Sequence, residues 1–190
     1  VSLECFERSV QVDPEYADLW AALTDIYNGE YRLGYNPRPG NPLDRALEAG
    51  ERAIKLAPQN QRAHWRLAHT RFLRGELDAL YSEVEKAIQI NPEDPNALAG
   101  LGTFVCLAGN WEKGLAMAEK AISMDPHPLP WYRTCSYLDK YRKGKYEEAL
   151  AEALRMDFNR TPVGILLTIA AYGQLGRTEE ARPLIRRLLE

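Results

Sequence analysis

The residues in this chain that could do chemistry are few, and their spacing works against each obvious reaction. Gly29 and Gly34 have the glycine spacing of a phosphate-binding loop. Tyr35 and Asn36 follow, however, where a lysine and then a serine or threonine must hold phosphate and magnesium. Gly100-Leu101-Gly102 lacks the third glycine of a dinucleotide fingerprint. His64 and His69 are five residues apart, which sends them to different faces of a helix and excludes joint chelation of a metal. His127 lies between Pro126 and Pro128 and reads as a turn residue. The acid pairs Glu147-Glu148 and Glu179-Glu180 fit the opening turns of helices, where carboxylates meet the positive end of the dipole, better than a paired-acid catalyst. Cys5, Cys106 and Cys135 are odd in number, far apart and form no C-x-x-C pair, so neither a disulfide framework nor a zinc cluster is expected. A reducing cytosol fits that pattern. Asn159-Arg160-Thr161 matches a glycosylation triplet, a motif common by chance. No catalytic, cofactor or metal constellation emerges, and no enzyme activity is expected of this chain.

The elements that carry these residues are predominantly helical. At 190 residues, with 45% hydrophobic and 27% charged side chains, the chain can bury a sizeable core. No apolar run approaches the roughly 18 residues of a membrane-spanning helix, so no membrane insertion is expected. The formal net charge of −3 is the wrong sign for a protein whose work is neutralising phosphates, so nucleic acid is not an expected partner. The charge is uneven: residues 1–58 hold 6 basic and 10 acidic side chains, residues 129–190 hold 11 and 8. Val1 stands where a start methionine would, directly before the stripe Leu3, Phe6 and Val10, as in a piece of something longer.

A repeat organises the rest. Pro58, Pro92 and Pro126 fall at intervals of 34 residues. Before Pro92 lie Leu77, Leu80, Tyr81, Val84, Ala87, Ile88 and Ile90; one period later stand Trp111, Gly114, Leu115, Ala118, Ala121, Ile122 and Met124. One period earlier stand Leu43, Ala46, Leu47, Gly50, Ala53, Ile54 and Leu56. Each set is apolar or small at the i, i+3, i+4, i+7 spacing of one helix face. A second helix precedes each, with His64, Leu67, Ala68 and Arg71 on one copy and Leu98, Leu101, Gly102 and Val105 on the next, and it ends at Gly75 or Gly109. Gly144 and Gly176 continue the series. Asp94-Pro95 and Thr161-Pro162 supply helix starts, while Asn91-Pro92 and Asp125-Pro126 supply stops. Each unit is helix A, tight turn, helix B.

The stretches "AHWRLAHTRFLRGELDALYSEVEKAIQINP" and "ALAGLGTFVCLAGNWEKGLAMAEKAISMDP" resemble tetratricopeptide repeats. The resemblance covers nearly the whole chain, with polar His64 and Arg71 standing where that family prefers apolar groups. It implies an all-α, right-handed solenoid of antiparallel helix pairs with about eleven helices in a single domain. The expected map is a leading helix over 1–13, then pairs over 17–57, 61–91, 95–125, 129–157 and 161–190. The first pair carries an insertion at 29–41, because helix A is expected to stop near Asn28 and helix B to resume near Pro42. That insertion is a tolerated decoration, or else a lip made by Tyr31, Tyr35 and Arg38. Pro183 is expected to distort the last helix.

In this family one stripe of helix A lines a concave groove. Here the resemblance places Arg62, Trp65, His69 and Phe72 on that stripe, with Asp18, Ala21, Asp25 and Asn28 before it and Asn96, Ala99, Thr103 and Cys106 after it. The fourth pair adds Arg133, Tyr137 and Lys140, or, in a register shifted by one, Trp131, Thr134, Leu138 and Tyr141. Exposed aromatics beside arginine are frequent anchors of interfaces, although Trp65 and Phe72 could equally serve packing. The chaperone-type carboxylate clamp of the family finds no counterpart, since Trp65, His69 and Gly100 occupy the places to compare. "HPLPWYRTCSYLDKYRKGKYEEAL" is similar to the C-terminal repeat regions of bacterial signalling proteins, class III adenylate cyclases and winged-helix regulators among them. The expected function is a non-catalytic scaffold that binds a protein or peptide in its groove, in the cytoplasm, as the regulatory part of such a signalling protein. The alternatives are a homo-oligomerisation module acting through the terminal helices, and part of an enzyme whose catalytic domain lies outside this chain.

Overall fold

The computed structural model describes residues 3–156 and 162–189. Among these residues the regular elements are eleven α-helices and one short 3-10 turn, and no strand is present. They fall into two compact units, residues 1–97 and 98–190.

The first unit holds α1 (Leu3–Val12), α2 (Ala17–Leu33), α3 (Pro42–Leu56), α4 (Gln61–Arg74) and α5 (Leu77–Ile90). In it α2 packs on α3 and α4, and α4 packs on α5. The starts are fixed by side-chain caps: Asn41 accepts from the Leu43 amide ahead of Pro42, and Asn60 accepts from the Ala63 amide. Gly75 closes α4 with a φ of 75°, so that the Glu76 amide reaches back to the Arg71 carbonyl. Alanines dominate the contact rows, with Ala21, Ala53 and Ala63 forming one cluster and Ala46 and Ala49 meeting Val10, Leu23 and Tyr27 in another. Small side chains at facing positions set close interaxial distances, which is why the repeat conserves size at these places from copy to copy.

Most of α6 (Pro95–Leu107) belongs to the second unit, with α7 (Trp111–Met124), the 3-10 turn Pro130–Arg133, α8 (Thr134–Arg142), α9 (Tyr146–Arg155), α10 (Pro162–Gln174) and α11 (Thr178–Leu189). Asp94 caps α6 through the Asn96 and Ala97 amides. Gly102 and Gly114 let α6 and α7 touch: a Cβ on Gly102 would meet the Gly114 carbonyl oxygen at 2.8 Å, and one on Gly114 would meet the Gly102 oxygen at 2.5 Å. Gly102→Ala is expected to cost about 2 kcal/mol through overpacking against backbone that cannot rotate away. Denaturant midpoints of the variant and the parent check this.

Four expectations are corrected. First, α2 does not stop near Asn28 but runs to Leu33 and closes on Gly34, leaving a loop of residues 34–41. The extra turn is held by Glu30, which is buried and accepts hydrogen bonds from Asn36 Nδ2 at 2.6 Å and Arg45 Nη2 at 3.1 Å. Second, Arg38 is no lip. It turns inward to Glu7 at 3.0 Å and lies over the Tyr27 ring, while Tyr31 and Tyr35 remain exposed. The insertion therefore clasps α1 and α2 together.

Third, Cys106 and Cys135 are joined in a disulfide, with Cα atoms 6.5 Å apart, and Cys5 is a free exposed thiol. Both half-cystines are buried on successive A helices, which brings together cysteines that look isolated in the chain. The cysteine pattern thus no longer points to a reducing compartment. Fourth, helix A of the fourth pair opens as a 3-10 turn, where Pro128 and Pro130 remove backbone donors and fix φ. Helix α11 continues through Pro183. Thr161 and the rest of the Asn159 triplet lie outside the described residues.

Candidate functional site

The stripe expected to bind begins, in the first unit, on α2 and α4. Asp25 and Arg66 join these helices through an ion pair of 3.0 Å. Below it Asn28 donates to the Arg66 carbonyl at 3.3 Å and accepts from Thr70 Oγ1 at 3.1 Å, so a buried polar bridge fixes the spacing of the two helices. At the top of the stripe Asn60 Nδ2 donates to Asp18 Oδ1 at 2.7 Å. These contacts hold α4 with Arg62 exposed in its first turn and Trp65 half-buried beside it. The Arg66 guanidinium lies over the Trp65 ring at 4.7 Å, a cation–π contact. The Trp65 indole nitrogen and Arg66 Nε are both buried without a hydrogen-bond partner.

His69 is 7% exposed. Burial first, and then the positive charges of Arg32 and Arg66, drive its pKa down to about 3, which leaves the imidazole neutral at physiological pH. Phe72 is half-buried one turn further on, and Asn96 is exposed in the first turn of α6. Burial also lowers the pKa of Arg66, opposed by Asp25 and assisted by Arg62.

On the other face of α4, His64 answers the question of a polar residue at a core position. Its Nδ1 lies 2.5 Å from Glu83 Oε2 and its Nε2 lies 3.0 Å from the Pro58 carbonyl, so both ring nitrogens face acceptors. Burial pulls the His64 pKa down, but the bonds to Glu83 and Pro58 outweigh it and raise the value. Arg71, the second polar intruder, pairs with Glu76 and Glu51. Both are structural groups paired within the fold, Arg71 through its terminal nitrogens.

In the second unit, Thr103 is half-buried and its hydroxyl donates to the Ala99 carbonyl at 2.9 Å, and Cys106 is consumed by the disulfide. Gly75 and Gly144 both cap an A helix at positive φ. Counting back from these caps places Trp131, Thr134, Leu138 and Tyr141 at the positions of Arg62, Trp65, His69 and Phe72, and all four are half-buried. Arg133 and Tyr137 fall instead at the places of His64 and Ala68. Arg133 reaches Glu152 at 3.5 Å, the counterpart of the His64–Glu83 pair, and Lys140 binds the same carboxylate. Tyr137 is a core residue whose hydroxyl donates to the Leu167 carbonyl. Arg133 and Tyr137 thus face helix B and the core, and the shifted register describes the stripe.

Sequence reasoning passed over Arg66 and Arg32. Arg66 follows Trp65 directly and sits a full turn after Arg62, a spacing that was open to inspection. Arg32 lies past Asn28, where the sequence pattern alone ends the helix. Among the described residues no group of three or more His, Cys, Asp or Glu is placed to hold a metal ion. No described helix is long and apolar enough to cross a membrane.

No protein-family model matches the chain, and no curated protein matches its sequence. Solved structures do match. A tetratricopeptide repeat protein from Parabacteroides merdae aligns over 98% of this chain and 71% of its own, at 17% identity and a TM-score of 0.64. A thermophilic repeat protein of the same kind from Thermus thermophilus aligns over 91% and 88%, at 20% identity and a TM-score of 0.69. A third, YrrB, described as a repeat protein with an unusual peptide-binding site, aligns over 99% and 92%, at 16% identity and a TM-score of 0.50. Helix order, caps, small-residue contact rows and these likenesses agree: the chain has the tetratricopeptide repeat fold.

Proposed function

We propose that the chain is a non-catalytic protein-interaction module that holds a peptide along the helix A face carrying Asp25, Arg62, Trp65, His69, Phe72 and Asn96. The supporting observation is the Trp65 indole, half-buried under the Arg66 guanidinium and next to exposed Arg62. Large aromatics and arginine with little conformational freedom left to lose make efficient anchors. YrrB, with its peptide-binding site, lends the fold-level precedent. Thr103, Trp131 and Leu138 hold the equivalent stripe in the second unit. The Arg62→Ala, Trp65→Ala double variant is expected to lose at least about tenfold in affinity for any peptide the parent binds, as an interface hot spot does. Fluorescence anisotropy measures it, and unchanged affinity removes this face from the proposal.

The resemblance of His127–Leu150 to bacterial signalling regulators supports a regulatory role beside a catalytic domain such as an adenylate cyclase. Self-association is the second reading, favoured by exposed Ile185 and Leu189 on α11 and Val163 and Leu166 on α10. Light scattering across concentrations tests it, and a strict monomer refutes it.

A further inference from the structure

The peptide reading leaves the chemistry of the ligand open, and the charges around Trp65 narrow it. Three arginines, Arg32, Arg62 and Arg66, serve this face from α2 and α4, against two acids: Asp25, which pairs with Arg66, and Asp18, which accepts from Asn60. Arg62 and Arg66 are one turn apart, on neighbouring positions of the helix surface. Arg66 is the constrained member: its side chain is 21% exposed, its Nη1 is bound by Asp25, and its Nε is buried without an acceptor. Arg32 and Arg62 are exposed, and no ion pair is seen for either among the described residues. His69 adds no charge, being neutral, and supplies a packed floor.

Such a face favours acceptor-only groups at more than one point. Guanidinium binds carboxylate through two parallel hydrogen bonds, and it does so best where water is partly excluded, as beside Trp65 and Phe72. We propose that the helix A face of the first unit selects acidic peptides, taking the side-chain carboxylates of Asp or Glu on Arg32, Arg62 and Arg66 and an apolar side chain against Trp65. This rests on the peptide reading above. Side chains, and not a free C-terminus, are the source, because the arginines are spread over two helices instead of gathered round one carboxylate.

The test is a pair of arrays of random-sequence peptides, one with both ends blocked and one with the C-terminus left free, probed with the full chain. Acidic peptides are expected to be retained about fivefold or more over neutral ones, with the margin shrinking as salt is raised to about 0.3 M. The exposed pair Arg32→Glu, Arg62→Glu is expected to reverse the preference toward basic peptides while circular dichroism shows unchanged helix content. Retention that ignores peptide charge, or a charge-reversed variant that still prefers acidic peptides, overturns this inference and leaves the peptide reading standing. Capture only of peptides with a free C-terminus overturns it as well. Arrays that both retain nothing overturn both.

Discussion

Reduction of the Cys106–Cys135 disulfide lowers stability by about 3–4 kcal/mol, since the bond closes a loop between cysteines 29 residues apart and removes that much entropy from the unfolded chain. Both sulfurs are buried between α6 and α8, with Cys135 Sγ 4.0 Å from the Gly102 carbonyl and Cys106 Sγ 3.9 Å from that of Trp111. The staple thus lies beside the close approach of Gly102 and Gly114. Urea unfolding with and without reductant gives the difference directly. Alkylation of the unfolded, unreduced chain followed by mass measurement is expected to modify one thiol, Cys5. Three modified thiols, or equal midpoints in the two buffers, contradict the staple.

Acid is the second strong perturbation. The His69 pKa in the folded protein is about 3, against about 6.5 when unfolded. A group with a depressed folded value that is neutral above it contributes nothing to the pH dependence above pH 6.5. Below pH 6.5 the unfolded chain takes up a proton that the folded chain refuses. Stability therefore falls as the pH drops, by about 2–3 kcal/mol at pH 4.5. His64 acts with the opposite sign over a different window. Its raised pKa gives stability that is fully present below about pH 6.5 and fades as the pH climbs through the folded value. The carboxylate of Glu83, lowered by His64 and Lys86 against the pull of burial, matters only below about pH 4.5. Stability is thus expected to peak near pH 6.5, with the fall toward pH 4.5 absent in His69→Gln. A His69 ring that titrates by NMR near pH 6.5, or a variant with the parent's acid slope, contradicts the assignment.

The helical repeat was legible because its signals are local and recur. Asp94-Pro95, Asn60 and Gly75 act within one turn of their own position, and the small residues at Ala46, Ala53, Gly114 and Ala118 repeat with the period of the fold. What was not legible depends on contacts between distant residues. Asn28-Gly29 looks like a helix end, yet Gly29 is not in the left-handed region, and the chain stays helical because Glu30 finds Asn36 and Arg45 on the far side of the loop. Cys106 and Cys135 do not share one repeat position, so the period could not reveal their meeting. Two registers stay open at the fourth pair in the sequence because it opens with a 3-10 turn, and only the glycine cap at its other end fixes the count. At the candidate site the aromatic and one arginine were readable as a stripe. Arg66 is readable one turn after Arg62, whereas Arg32 becomes visible only once α2 is known to reach Leu33.

The most direct test is a nitrogen-15 NMR titration of the chain with the tightest acidic peptide from the array, following the indole N–H of Trp65 among the four tryptophans. Binding is predicted to move that resonance together with the amides near Asp25, Arg32, Arg62 and Arg66, while amides along α3 and α5 stay in place. A Trp65 signal that does not respond while α3 or α5 shifts means that the peptide sits on the helix B side, and the helix A face is then not the binding surface.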